Sequence, residues 1–438
     1  MRFERPLRRL LLTLGVCAAV LTCALPASAI PAFARRYETS CSTCHVQFPN
    51  LNPFGEAFRR NGYQFPAGAD TDSIKQTPMT LVTEGRRDLF PRSDWPTDLA
   101  RYPPVAFILN GIVPIFPDAS TRRAGQKAVS FDNMFGEASL LLGARAGDHV
   151  AVFAGVNFMS NAPVQFERGF IVFSNLLPGG LLHVRIGQFE PQIASFSSYR
   201  AIAGPTYLIL SAPLAPSYFS LEPYVRGVNL SGTIGGRVGW DAAWVQGVEA
   251  TNYGAEGTPQ MPRDGYAHVF TRLGGMRLDG VERTGEAAGA GALDDPSLDL
   301  GVFGYVGKHD VEVDETGAAP PQGDLVAKAG GDMLARLGTI SVLFAATYER
   351  HRYDLTAPRS RQQGLGEVAW RVFPWLATAI RAEAEVGSAG TMRRLVPIVS
   401  AHPRINLKLQ AYAIVGSPTL GLPGTQVTEI DLGATYAF

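Results

Sequence analysis

The chain has 438 residues, 46% of them hydrophobic, with 47 glycines and a formal net charge of zero at pH 7. Its basic residues are unclustered and matched by acids, which argues against a polyanion such as nucleic acid as a partner. No apolar run beyond the N-terminus approaches the roughly 20 residues of a membrane-crossing helix, so a helical membrane protein is excluded too.

The first residues read as an export signal. Arg2, Arg5, Arg8 and Arg9 precede an apolar stretch from Leu10 to Leu25, and Ala27-Ser28-Ala29 forms an A-x-A cleavage site. Residues 1–29 are therefore expected to be a cleaved signal peptide. A lipoprotein signal at Cys23 fits less well, because Thr22 stands where a small Gly or Ala is wanted. Of the four cysteines, Cys17 and Cys23 leave with that peptide, and the exported chain keeps only Cys41 and Cys44, which leaves no disulfide framework.

Residues 30–100 are expected to form a small helical segment carrying one covalently attached haem c. In Cys41-Ser42-Thr43-Cys44-His45, two thiols at this spacing add to the haem vinyl groups while the adjacent histidine reaches the iron. A bare Cys-x-x-Cys is also compatible with a redox pair, but His45 favours haem. Downstream, Asn52 is placed to cap a helix of about three turns with Pro53 at its first position and Gly62 beyond its end. Phe54 and Phe58 share its apolar face and are expected to wall the haem. Arg59 or Arg60 either meets a propionate or serves as solvated charge at the helix C-terminus. Met79 is the first Met or His after His45 and is the candidate sixth iron ligand, with His149 and His183 as rivals. So short a segment has little core of its own and is expected to borrow burial by plugging the larger domain C-terminal to it.

Residues 101–438 read as an all-β domain: a transmembrane antiparallel β-barrel of about 16 strands. Segments of roughly ten residues alternate apolar with polar or small residues, between Gly, Pro, Asp and Asn. Val150, Val152, Ala154, Val156 and Phe158 share one face of such a segment, and Leu182, Val184 and Ile186 oppose His183 and Arg185. Later, Ile380, Ala382, Ala384 and Val386 oppose Arg381, Glu383 and Glu385, and Leu407 and Leu409 oppose Lys408 and Gln410. A soluble β-sandwich also alternates but rarely runs this long as one domain.

Short turns are expected at Gly147-Asp148, Pro178-Gly179-Gly180, Gly235-Gly236, near Gly338, at Phe373-Pro374 and at His402-Pro403, on the side that holds both termini. The stretch from Asp279 to Ser297 is too long for that side, and a miscounted strand nearby is the simplest reading. The apolar connection from Pro191 to Pro223 either folds into the lumen or forms two extra short strands. Seven acidic residues (Asp294, Asp295, Asp299, Asp310, Glu312, Asp314 and Glu315) form either a hard-cation site or, preferably, solvated loop charge.

Pro31-Ala32-Phe33-Ala34-Arg35, the Cys-Ser-Thr-Cys-His motif, Phe48-Pro49-Asn50-Leu51-Asn52-Pro53-Phe54-Gly55, Phe58 and Gly62-Tyr63 together resemble the N-terminus of the fused monohaem cytochrome-porins. The terminal Phe438 is similar to the assembly signal of bacterial outer-membrane barrels. The resemblance covers the N-terminal segment and implies an outer-membrane protein of a Gram-negative-type bacterium, in contact with lipid. It further implies oxidation of an extracellular donor such as Fe(II), in the manner of an Fe(II) oxidase or electron carrier, and transfer to a periplasmic cytochrome. Catalytic acid-base residues are not required, because a one-electron step is carried by the cofactor. The alternative is a solute porin whose haem segment is a gate or folding staple, with Arg381, Glu383, Glu385 and Lys408 lining its lumen.

Overall fold

A computed structural model describes residues 32–64, 79–80, 98–99, 104–117, 122, 127–145, 149–159, 162–214, 217, 219–246, 263–280, 295–311, 322–388, 390–404, 406–416 and 427–437. The expected signal peptide and Phe438 lie outside them. From residue 105 on, the alternating segments pair into strands: β1 (Val105–Ile115), β2 (Glu137–Arg145), β3 (Val150–Met159), β4 (Ala162–Leu177), β5 (Leu182–Phe189), β6 (Val225–Ile234), β7 (Val238–Gln246) and β8 (Asp264–Gly274). They continue as β9 (Ser297–Val311), β10 (Gln322–Leu337), β11 (Ile340–Tyr353), β12 (Arg359–Phe373), β13 (Leu376–Gly387), β14 (Gly390–Arg404), β15 (Leu407–Gly416) and β16 (Val427–Ala437). Each pairs antiparallel with the next, and β16 closes on β1 through Ile430 opposite Ile115 and Tyr436 opposite Leu109.

The expected sixteen-stranded barrel is thus the fold, and the period of two decides its faces. On β9, Leu300, Val302 and Val306 point outward, Val302 at 66% exposure, while Asp299, Phe303 and Tyr305 are buried inside. Trp370, Phe373 and Trp375 stand exposed on the outside near one rim, as in the aromatic girdle of a membrane barrel. That rim carries the short turns; at Gly235 and Gly236 the backbone has φ of +58° and +70°, a region glycine enters without steric cost. The turn expected at His402-Pro403 instead falls between Arg404 and Leu407, since β14 runs to Arg404.

β8 pairs directly with β9, so no strand is missing between them, and the long connection from 275 to 296 does join the short-turn rim. Its first residues explain its length. Met276 is buried against Tyr37, Phe54, Ala57 and Phe58 of the N-terminal segment, and the Leu278 amide donates to the Gly236 carbonyl at 2.8 Å. The chain there covers a plug.

Between β5 and β6 the connection from 190 to 224 turns into the lumen, and the extra-strand reading fails because β5 pairs β6 directly. The connection contains one short helix, α3 (Leu208–Ser211), and buries Ile193, Phe196, Tyr207, Ile209, Phe219 and Leu221 against inward residues such as Phe170, Tyr305 and Leu343. Each such large side chain fully withdrawn from water contributes about 1.5–3 kcal/mol. Inward polar groups that would be wetted in an open pore are consequently dry. Arg381 meets Glu367 at 2.7 Å, Arg394 meets Glu383 at 2.6 Å and Arg361 meets Glu385 at 3.1 Å. Further donors of these arginines cap loop carbonyls of Ala203, Pro205, Thr206, Ala212 and Pro213.

Candidate functional site

The N-terminal segment enters the barrel at the short-turn rim. It comprises α1 (Ala32–Tyr37), a single helical turn at Cys41–Thr43, and α2 (Pro53–Arg60), which is shorter than the three turns expected. Asn52 organises it. This buried side chain accepts from the Gly55 amide at 2.8 Å as the helix cap, and its Nδ2 donates to the carbonyls of Ser42 and Thr43 at 3.2 and 3.0 Å. The Asn52 amide also donates to the Cys44 carbonyl at 2.9 Å. One residue thereby locks α2 onto the cysteine turn. Gly55 is required for this approach, because a Cβ there would lie 2.1 Å from the Cys44 carbonyl oxygen.

Barrel contacts hold the plug in place. Arg60 pairs with Asp241 at 3.0 Å and lies over the Phe270 ring, Gln64 donates to the Ser174 hydroxyl at 2.8 Å, and His402 Nε2 donates to the Phe48 carbonyl at 3.1 Å. Arg59 pairs with Glu56 at 2.9 Å and donates to Gln192, where plug and inserted connection meet. Burial alone would push the Glu56 carboxyl up, but Arg59, Arg200 and Arg336 outweigh it and bring it to about 2.

Between this plug and the wall formed by β15, β16 and β1–β4 lies a cavity of about 810 Å³, within the roughly 300–1,000 Å³ of cofactor sites. Cys41, Cys44 and His45 all line it. Both cysteines are free thiols, and burial raises both, Cys44 to about 12. That is the reverse of a redox-active Cys-x-x-Cys, whose nucleophile needs a depressed value. His45 Nδ1–H donates to the Pro49 carbonyl at 3.2 Å, which orients the ring and leaves the Nε2 lone pair available, the arrangement usual for a metal-ligating histidine. Burial pushes His45 down to about 4, so the ring is neutral.

The wall is aromatic. Phe33 stacks on Tyr63 at 5.3 Å between centroids, Tyr63 stacks on Phe153 of β3 at 5.5 Å, and Phe58 meets Phe33 edge-on at 5.3 Å. Phe48 lies edge-on to His45 at 5.3 Å. Phe58 therefore lines the cavity, whereas Phe54, one turn earlier on the same face, is fully buried in the cluster with Met276 and does not reach it. Of the two arginines, Arg59 lines the cavity and Arg60 is committed to the barrel wall.

A planar, largely apolar group bearing two carboxylates fits this site. It offers two convergent thiols, a neutral imidazole with one nitrogen available, stacked rings, and cations at its margin. Of the other iron ligands proposed from the sequence, His149 and His183 are not brought there. His149 Nδ1–H donates to the Ser174 carbonyl at 2.9 Å, and His183 Nδ1 accepts from the Asn175 amide at 3.2 Å, both away from the cavity. Met79 sits opposite Leu99 in a two-residue ladder, and its side chain lies outside the described residues.

No three of the described His, Cys, Asp and Glu residues converge on a metal ion. Asp299 is neutralised by Arg272 at 2.7 Å and Arg336 at 3.0 Å; Asp294, Glu312, Asp314 and Glu315, and the side chain of Asp310, lie outside the described residues. Phe153, Met159, Tyr199 and Lys408 are cavity residues that the motif did not reveal. An aromatic side chain among the small inward positions Ala151 and Gly155 was the available signal for Phe153.

Fold and site together define a porin-type transmembrane barrel whose lumen is plugged and retains a cofactor-sized cavity. Among solved structures, the anion-selective porin from Comamonas acidovorans is similar over 76% of this chain and 98% of its own, at 9% identity and a TM-score of 0.53. The outer membrane channel DcaP of Acinetobacter baumannii aligns over 76% and 96% of the two chains at 12% identity and a TM-score of 0.49. At such identities the likeness is one of fold. No family model and no curated protein matches the chain.

Proposed function

We propose that this is an outer-membrane electron-transfer protein, in which one haem c attached at Cys41 and Cys44 takes an electron from an extracellular donor, foremost Fe(II), and yields it to a soluble periplasmic cytochrome. The observation that carries this reading is the convergence of Cys41, Cys44 and a neutral, oriented His45 on one cavity inside a membrane barrel. Bound there, haem supplies one-electron redox chemistry. The chain's own residues anchor it by two thioethers, present His45 Nε2 to the iron and exclude water with Phe33, Phe58, Tyr63 and Phe153. Met79 is the sixth ligand in this reading, and loss of the six-coordinate low-spin spectrum in Met79→Ala tests that part. The short-turn rim, with the plug, faces the periplasm, and the apolar outer face sits in outer-membrane lipid.

The decisive measurement is stopped-flow mixing of the purified, haem-loaded protein with Fe(II) while the haem bands are followed. Reduction within the mixing experiment is expected; a haem that other donors reduce readily but Fe(II) does not would remove Fe(II) as donor. A second reading, a solute porin with the haem segment as gate or staple, is favoured by the porin-type fold. It requires liposomes carrying the protein to pass small solutes. The dry, ion-paired lumen weighs against free solute passage and leaves electron transfer to the measurement above.

A further inference from the structure

Four cations line the cavity shared by Cys41, Cys44 and His45. Three are engaged with carboxylates: Arg59 with Glu56 at 2.9 Å, Arg200 with Glu190 at 2.7 Å and Arg168 with Glu167 at 3.3 Å. The fourth is Lys408, near the start of β15. It is only 7% exposed, it faces the cavity, and among the described residues its ammonium makes no hydrogen bond or ion pair. Opposite it in the β-ladder is Thr435, and the next inward positions along β15 are Gln410 and Tyr412, none of them a counter-charge.

The ammonium opens onto the cavity, and a charge largely withdrawn from bulk water with no partner is unfavourable. Elsewhere in this lumen buried cations have company: Lys328 pairs with Glu349 at 2.9 Å, Arg361 with Glu385 at 3.1 Å, and Arg185 lies over the Phe170 ring at 5.0 Å. An inward lysine left single at a cavity wall is therefore matched to negative charge on the occupant. A haem attached through its vinyl groups keeps both propionate carboxylates free. Resting on the haem assignment, we propose that Lys408 is a propionate-binding residue: the barrel wall contributes the cation that holds a haem carboxylate, so plug and barrel each supply part of the site. A lysine acts there as a compact point charge.

The test uses full-length, haem-loaded protein with Lys408→Met, Lys408→Gln and Lys408→Arg, read by redox titration and by the absorption spectrum. A cation beside the haem disfavours the ferric form, which carries the extra positive charge. Removing it is expected to shift the reduction potential downward in the Met and Gln variants, with the potential held in Lys408→Arg and the iron ligation unchanged in all three. The Gln variant keeps a polar stem if the Met variant fails to assemble. An unshifted potential in both neutral variants overturns the proposal, as does loss of the low-spin spectrum in the Arg variant together with the others, which would make Lys408 an iron ligand. Absence of haem from the wild-type protein would instead overturn the parent assignment.

Discussion

The plug of residues 32–64 and the connection of residues 190–224 enter one barrel from opposite rims, and they fill it differently. The connection is saturated. Arg381 alone meets Glu367, two loop carbonyls and the face of Tyr207 at 3.9 Å, and the cavity beside that ring is only about 40 Å³. The plug is anchored to the barrel on its outer side but borders about 810 Å³ on the side that Cys41 and Cys44 line. Folding normally closes space of that size, since interiors pack to crystal-like density. A void bounded by two thiols and an imidazole, beside a segment that packs tightly elsewhere, is the contrast on which the haem proposal rests.

That contrast is most directly challenged at the cysteines. Replacing both Cys41 and Cys44 by Ala should abolish covalent haem, read as haem fluorescence or peroxidase stain on a denaturing gel, while the barrel still assembles. Persistence of the stain would end the haem assignment. The next largest effect lies on the other side. Arg381→Met strands Glu367 in the dry lumen and should cost about 3–5 kcal/mol, seen as a lower urea midpoint in detergent. In the haem-free Cys41→Ala/Cys44→Ala background, Lys408→Met strands no carboxylate among the described residues and should leave that midpoint nearly unchanged.

Acidity should separate the two segments further. Burial lifts Glu222 of the connection from its ordinary 4.5 to about 7, against the amide of Ser198, which donates to it at 2.9 Å. Between those values the folded chain holds a proton that the unfolded chain releases. The connection therefore loses stability as pH rises through that window, by an amount on the order of 3 kcal/mol. Glu56 of the plug, brought down to about 2 by its arginines, contributes fully above about 4.5 and loses its contribution only as pH falls towards 2. Hydrogen exchange at pH 5 and pH 8 should show the connection loosening at the higher pH and the plug unchanged, with the difference abolished in Glu222→Gln. Equal loosening of both would refute the assignment.

The smallest effect is expected at the seam. Ser174→Ala leaves the buried Gln64 amide without its acceptor and should cost about 1 kcal/mol, visible as faster proteolysis of the plug with no change in barrel stability.

Legible in the sequence was whatever depends on neighbours along the chain. The Cys41 to His45 motif, the Asn52 cap and the inward or outward sense of each strand residue follow from spacings of one to four positions, which backbone geometry converts into shape. Even the strand count followed from alternation, although the length of the connection from 275 to 296 pointed to a miscounted strand that direct pairing of β8 with β9 rules out. What the period of two cannot carry is height and company in the lumen. Tertiary structure alone turned Phe54 toward Met276, brought Phe153 and Lys408 against a motif more than a hundred residues away, and kept His149 and His183 apart from it. It also packed Met276, at the start of the connection from 275 to 296, against the plug. The reason is closure of the barrel. Sixteen strands bring distant residues into one lumen, and only their register and the packed connection decide which of the inward side chains meet.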